Sequence, residues 1–176
     1  NLDRMVVLIR HFLSTARFTG FAEWLELQPE LVRRDAVAAD VGPVAAVAPT
    51  GSDDRPLVSV VVPCYNEAET LPYLMNTLAS VARRLGGRFR LHLVFVDDAS
   101  MDDTWAVLNR LTAGRTDCTL VRHPANQGVA HAILSGLDAA PGELVCSIDA
   151  DCTYDPHGIG ALAEALKTAL SKLSVS

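Results

Sequence analysis

Asp149 and Asp151 stand two residues apart, directly after the apolar run Leu144-Val145-Cys146. On an extended backbone that spacing turns both carboxylates the same way. Like charges held together call for a cation, and hard divalent ions such as Mg²⁺ and Mn²⁺ take oxygen ligands. Mg²⁺ commonly uses one or two carboxylates plus the phosphates of a substrate. The pair therefore reads as a metal–diphosphate site at a strand end. Asp-x-Asp by itself is a weak signal that any acidic turn produces. Two further clusters strengthen it, Pro63-Cys64-Tyr65-Asn66-Glu67 and Asp97-Asp98-Ala99-Ser100, each again at the end of an apolar run. Taken singly, each has a plainer reading, with Asn66 and Glu67 as helix caps and Asp97 and Asp98 as a solvated turn. Three such clusters at one place carry more negative charge than a fold holds without a ligand or cation to compensate it.

The elements that would bring them together can be read from periodicity. Leu57–Val62 is a β-branched strand ended by Pro63, and Glu69–Leu85 is a helix with Leu71, Leu74, Leu78, Val81, Ala82 and Leu85 on one face. Arg90–Val96 is a second strand, stopped by Asp97-Asp98. A helix over Asp102–Leu111 begins with aspartate, which suits capping and the helix dipole. Thr119–Arg122 is a short strand, Gly128–Ala140 a helix and Glu143–Ile148 a strand. A last helix runs over Pro156–Leu170 with proline in its first turn. This alternation predicts an α/β fold, a Rossmann-like and mostly parallel sheet flanked by helices. Such sheets bind ligands beyond the carboxyl ends of their strands. Ahead of this unit (residues 56–176), residues 1–34 read as a helical extension, amphipathic over Arg4–Leu27. Residues 35–55, rich in Ala, Val, Pro and Gly, read as a linker. The extension is expected to pack on protein, with a membrane-surface helix as the alternative.

The 176 residues carry a net charge of −6, are 49% hydrophobic and are 20% charged. An acidic chain of this kind lacks the basic face that nucleic acid demands. Cys64, Cys118, Cys146 and Cys152 form no Cys-x-x-Cys pair and read as free thiols of a reducing, cytoplasmic compartment. No apolar run approaches the ~18 residues of a membrane span. Gly-x-Gly-x-x-Gly is missing after the first strand, which disfavours a dinucleotide dehydrogenase. A phospho-receiver domain is disfavoured because the Asp pair follows the second strand of the unit while Asp-x-Asp follows the fourth.

Three segments, LVSVVVPCYNEAETLPYLMNTL (57–78), VFVDDASMDDTW (94–105) and SIDADCTYDP (147–156), resemble inverting family 2 glycosyltransferases of the GT-A fold, nearest to members similar to dolichyl-phosphate mannose synthases. The resemblance implies roles. Pro63, Tyr65 and Glu67 match the segment that embraces the nucleotide's base and ribose. Asp97 and Asp98 match an acidic pair, one accepting from a base N–H and the other ordering the loop. Asp149 and Asp151 match the Asp-x-Asp, with Asp151 the direct metal ligand and Asp149 closer to ribose or to metal-bound water. Asn126 and Gly128 match an Asn-x-Gly at a helix start, read as a cap and a close backbone approach. Ala99 and Asp103 replace glycines of the family pattern, and Ala99 is strained if its φ is positive.

The resemblance implies metal-dependent transfer, with inversion, from a nucleoside-diphosphate sugar to a lipid phosphate or glycan. The cofactor would be Mg²⁺ or Mn²⁺, and the place of action the cytoplasm or the cytoplasmic face of a membrane with peripheral association. It also implies an acceptor-binding half beyond the Asp-x-Asp that carries an Asp or Glu base. Only a short tail follows Asp151, so the chain reads as truncated and the catalytic base as unidentified. The alternative is a non-catalytic module that binds nucleotide sugar.

Overall fold

β2 (Leu57–Cys64) is the axis of the fold, and its sequence shows why. Val58, Val60, Val62 and Cys64 point into one apolar core while Val61 points into another on the opposite face. Strands buried on both faces read as continuous apolar runs rather than alternating ones. In the computed structural model, which describes residues 8–10, 53–142, 144–151 and 155–173, β2 sits at the centre of a five-stranded parallel sheet. The strands are β1 (Leu8–Arg10), β2, β3 (Arg90–Asp97), β4 (Cys118–Arg122) and β5 (Leu144–Ser147), in the order β1-β5-β2-β3-β4. The described residues fall in one compact unit. A second unit, Phe12–Ala45, lies outside them, as do Cys152 and the linker up to residue 52.

Helix α1 (Leu71–Leu85) buries Leu71, Leu74, Met75, Leu78, Val81 and Leu85, an i, i+3, i+4 stripe laid on the first core. Val107 and Leu108 of α2 (Thr104–Thr112) join the same core. So do Ile159 and Ala163 of α4 (Ile159–Leu173), which follows a 3-10 turn at Pro156–Gly158. Helix α3 (Val129–Ala139) covers the other face, with Ala132 against the layer of Val61, Val94, Val96, Val121 and Val145.

The chain proceeds β2, β3, β4 in one direction, then returns to add β5 on the far side of β2. The gap between the carboxyl ends of β2 and β5 is thus a topological switch point, where connections leave to opposite faces and a crevice opens. Pro63 fits this arrangement. In a parallel strand, successive residues bond to alternate neighbours. Val61 C=O accepts from Ile148 N–H on the β5 side, and Cys64 C=O accepts from Asp98 N–H on the β3 side. Pro63 therefore turns its missing N–H toward β5, whose pairing with β2 has already ended at Ser147 opposite Val61. The strand runs through Pro63 to Cys64 rather than stopping before it.

The N-terminal expectation is corrected in part. Leu8–Arg10 is a strand, paired in parallel with Val145–Ser147, so a helix over Arg4–Leu27 does not run through these residues. The unpaired backbone of β5 offers donors and acceptors that only an extended segment can use. Pairing at this edge overrides the amphipathic period, and β1 belongs to the sheet rather than to a separate extension. The remainder of that expected helix lies outside the described residues.

Two outcomes follow from this packing. Gly136 lets α3 approach the sheet, since a Cβ built there would lie 2.3 Å from Val61 Cγ1 and 3.2 Å from Val96 Cγ2. Gly136→Ala should destabilise by about 1–3 kcal/mol, the usual range for overpacking. Urea unfolding measures this, and an unchanged midpoint would show that α3 does not pack as described. His92 is buried on β3, with Nε2 bonded to Thr119 Oγ1 at 2.8 Å, and desolvation lowers its pKa against a smaller opposing pull from Asp117. Below the ordinary histidine value near ~6.5 the unfolded chain binds a proton that the folded chain excludes, so stability falls as pH drops through that window. The melting temperature should decline between pH 7.5 and pH 5.5, and His92→Gln should flatten the decline.

Candidate functional site

At the switch point lies a cleft of about 400 Å³. Pro63, Cys64, Tyr65 and Glu67 come from the end of β2, Asp98 from the end of β3, and Asp149, Ala150 and Asp151 from the end of β5. Asn126, Gly128, Val129 and Ala132 come from the approach to α3 and its first turns. Parallel strands deliver all three acidic clusters to one edge, as expected. Among the described residues the lining holds four carboxylates, from Glu67, Asp98, Asp149 and Asp151, and no lysine, arginine or histidine. Tyr65 and Val129, 42% and 55% exposed, add apolar surface open to a flat ligand. Cys64 faces the cleft as a thiol that burial pushes far up, so it is no nucleophile.

The loops after β2 and β3 are laced together by short polar side chains. Asn66 N–H donates to Ser100 Oγ at 2.9 Å, and Asn66 Oδ1 accepts from Met101 N–H at 2.9 Å. Glu67 N–H donates to Thr104 Oγ1 at 2.7 Å, and Ala68 N–H to Asp102 Oδ2 at 3.3 Å. Asp102 Oδ1 also takes Thr104 N–H at 2.9 Å as α2 begins. Asn66 adopts φ 58°, a left-handed conformation that asparagine tolerates well. Glu67 is itself fixed, its Oε2 accepting from Thr70 Oγ1 at 2.7 Å.

Asp97 and Asp98 divide their work. Asp97 is fully buried and lies outside the cleft lining. Its Oδ1 accepts Ser100 N–H at 3.1 Å, and its Oδ2 forms an ion pair with Arg122 Nε at 3.1 Å, while the Arg122 guanidinium lies over the Trp105 ring. Asp98 lines the cleft. Its Oδ1 accepts from Gln127 N–H at 2.9 Å and meets His123 Nδ1 at 2.6 Å, and its Oδ2 accepts from Gly128 N–H at 2.7 Å. The start of α3 thus receives the protein's own anion. Gly128, at φ 88°, occupies the cap position, and the cap carries no side-chain hydrogen bond, so Asn126 does not cap α3 as the resemblance implied.

Asp149 is half-buried and Asp151 exposed at the cleft. Among the described residues no three His, Cys, Asp or Glu side chains converge to hold a metal by themselves. Two carboxylates beside an open cleft are nevertheless the donor set expected of a divalent ion whose shell is completed by ligand phosphates and water.

Residues 59–172 match the family description "Glycosyl transferase family 2". The chain belongs to this family. Among similar proteins, an undecaprenyl-phosphate 4-deoxy-4-formamido-L-arabinose transferase of Pseudomonas paraeruginosa is 40% identical over 110 residues, covering 61% of this chain and 32% of the relative. A dolichol-phosphate mannosyltransferase of Pyrococcus furiosus is 32% identical over 110 residues, covering 62% of this chain and 30% of the relative. A mannosyltransferase of Pyrobaculum calidifontis, solved in complex with GDP-Man and Mn²⁺, superposes with a TM-score of 0.53 at 29% identity, covering 83% of this chain and 39% of that one. This family 2 chain spans about a third of the length of the curated relatives it matches.

Within the family 2 domain, sequence reasoning placed Pro63, Tyr65, Glu67, Asp97, Asp98, Asp149 and Asp151 at the site; the structure brings all but Asp97 to one cleft, and Asp97, buried and paired with Arg122, stands outside its lining. Ser100, Asp102, Thr104, Arg122 and His123 went unassigned. Their signal lay in the run of short polar residues after Asp98 and in two basic residues ending β4, which reads as an ordinary strand terminus. Ala99 stands at φ 57°, where a non-glycine residue is strained by roughly 1–2 kcal/mol. Ala99→Gly should therefore stabilise by about 0.5–1 kcal/mol after the entropy of glycine in the unfolded chain is set against the relief. A urea midpoint that falls instead of rising would refute the strain.

Proposed function

We propose that this chain binds the nucleoside-diphosphate sugar of a family 2 glycosyltransferase, with a divalent metal at Asp149 and Asp151. The observation that carries the reading is the cleft's composition. Among the described residues four carboxylates and no cationic side chain line the cavity, and the α3 N-terminus that would otherwise attract a phosphate already faces Asp98. A diphosphate enters such a place only with a cation.

The base would lie against Tyr65 beside Pro63 and give a ring N–H to Asp98, whose Oδ2 accepts one protein N–H and keeps acceptor capacity. Glu67, held by Thr70, would take ribose hydroxyls. Asp151 would ligate the metal directly, and Asp149 would meet ribose or metal-bound water. The ion, Mg²⁺ or Mn²⁺, supplies neutralising charge on the departing nucleoside diphosphate. An acceptor oxygen attacking the anomeric carbon from the opposite face gives inversion. The names of the relatives, one an undecaprenyl-phosphate and one a dolichol-phosphate transferase, support a lipid phosphate as acceptor. Action at the cytoplasmic face of a membrane belongs to the same proposal. A non-catalytic nucleotide-sugar-binding module would keep the same cleft, and comparing donor binding with transfer on one sample separates the two.

Asp151→Asn should reduce Mn²⁺-dependent affinity for UDP or GDP by at least about tenfold, in the range for losing a charge-assisted contact, and leave metal-free nucleoside binding unchanged. Chelation of Mn²⁺ should have the same effect on the unsubstituted chain. Calorimetry that finds equal metal-dependent affinity in the variant would remove the metal from this position.

A further inference from the structure

The imidazole of His123 is buried at the end of β4, 7% exposed, and the donor cleft makes no direct use of it. Both ring nitrogens are engaged. Nδ1 lies 2.6 Å from Asp98 Oδ1, and Nε2 lies 2.9 Å from Ser135 Oγ. Asp98 as a carboxylate can only accept, so Nδ1 carries the proton and donates it. In the neutral ring Nε2 then accepts from the Ser135 hydroxyl, and in the charged ring it donates to the same oxygen. The chain Asp98–His123–Ser135 closes in either state.

This chain joins three elements. Asp98 ends β3, His123 follows β4, and Ser135 lies in α3, whose first turn forms one wall of the cleft. Asp98 grips Gln127 and Gly128 by their N–H groups, and His123 fixes the carboxylate that does so. Without a donor at Nδ1, a nearly buried carboxylate, 3% exposed, loses one of its three partners. It would then turn toward water, and water lies in the cleft.

We infer that His123, backed by Ser135, is the positioning residue of the nucleotide pocket. It holds Asp98 in the rotamer that both closes the 126–128 loop and leaves an acceptor for the base. The inference rests on the proposed function for its ligand but not for its geometry. It assigns His123 to the base end of the cleft and gives it no part in metal binding.

The test uses the full 176-residue chain and four forms of it. UDP and GDP affinities are measured with Mn²⁺, uridine and guanosine affinities without it, and amide hydrogen exchange is followed at Gln127 and Gly128. His123→Leu should weaken nucleoside binding by about tenfold, the loss expected when a charge-assisted hydrogen bond disappears, and should accelerate exchange at both amides. The gain in affinity that Mn²⁺ gives the diphosphates should stay the same. His123→Asn, which restores an N–H near the position of Nδ1, should recover most of the affinity and of the protection. Ser135→Ala keeps the ring and loses only its far bond. It should weaken nucleoside binding by about two- to fivefold, and it supplies the answer where His123→Leu does not fold. Wild-type affinity in a folded His123→Leu or Ser135→Ala, or a loss confined to the Mn²⁺-dependent increment, overturns the inference. If the unsubstituted chain binds none of the four probes, the proposed function fails. The exchange data then decide the clamp by themselves, with unchanged protection in His123→Leu or, failing its folding, in Ser135→Ala counting against it.

Discussion

Two adjacent carboxylates, Asp97 and Asp98, leave water side by side at the carboxyl end of β3. Burying one unpaired ion costs several kcal/mol, and two of like sign cost more. The surrounding structure is organised around that penalty. Arg122 and the Ser100 N–H meet Asp97, while His123 and the first N–H groups of the α3 entry meet Asp98. The two basic partners are consecutive, Arg122 ending β4 and His123 following it, so the register of β4 against β3, with Arg122 opposite Asp97, is fixed by charge as well as by apolar packing. The position of α3 follows, because its entry loop must reach Asp98, and Gly136 allows the helix to settle against Val61 when it does. One wall of the cleft is therefore a consequence of how a buried charge is compensated.

The opposite wall has a different origin. β5 joins the sheet beyond β2 and stops pairing with it before Pro63, which leaves the end of β2 without a neighbour on that side. A proline that would break a ladder elsewhere is harmless there. The chain beyond β5 brings Asp149 and Asp151 to the cleft lining. At β3 negative charge is met by Arg122, His123 and backbone N–H groups and serves structure. At the end of β5 the proposed reading assigns it to a cation. On that reading a base-binding end and a metal-binding end lie apart within one cleft, which is a physical reason to expect Asp98 and Asp151 to contribute independently to affinity.

The layout of the core was legible because it rests on periodicity and length. The runs at 57–62 and 90–96 and the stripe Leu71, Leu74, Leu78, Val81, Leu85 each admit one reading, and the structure agrees to within a residue or two. The three acidic clusters were legible because a parallel sheet must collect its carboxyl ends. What escaped were relations between distant residues. Nothing local to Asp97 says that Arg122 will meet it, and nothing local to His123 distinguishes a buried ligand of Asp98 from a residue ending a strand. Leu8–Arg10 escaped for a related reason. Their extended form follows from an open edge on β5, supplied by residues far along the chain, whereas their local pattern favoured a helix. The strain at Ala99 was half legible, since the residue departs from the family's glycine but its φ of 57° depends on how the loop is laced to Asn66 and Ser100.

The chemistry of the acceptor bears on what the proposed reaction requires of the protein. A sugar hydroxyl must lose a proton as it attacks, and a general base contributes typically ~10²–10⁴-fold. The carboxylate nearest in sequence to the Asp-x-Asp is Asp155. It accepts from His157 N–H at 3.0 Å and from the ring at 2.7 Å, and these bonds hold its carboxyl below the usual range. A carboxylate shifted downward is a weaker base, the opposite of the tuning such a role needs. A lipid phosphate makes a different demand. A phosphate monoester loses its second proton near pH ~6, so at neutral pH its oxygen is already an anion and attacks without a base. What it needs is relief from repulsion by the departing diphosphate, and a divalent cation held by Asp149 and Asp151 would supply charge of the sign that lessens it. His157 thus draws the carboxylate that follows the Asp-x-Asp away from the tuning a general base needs, whichever oxygen the acceptor brings.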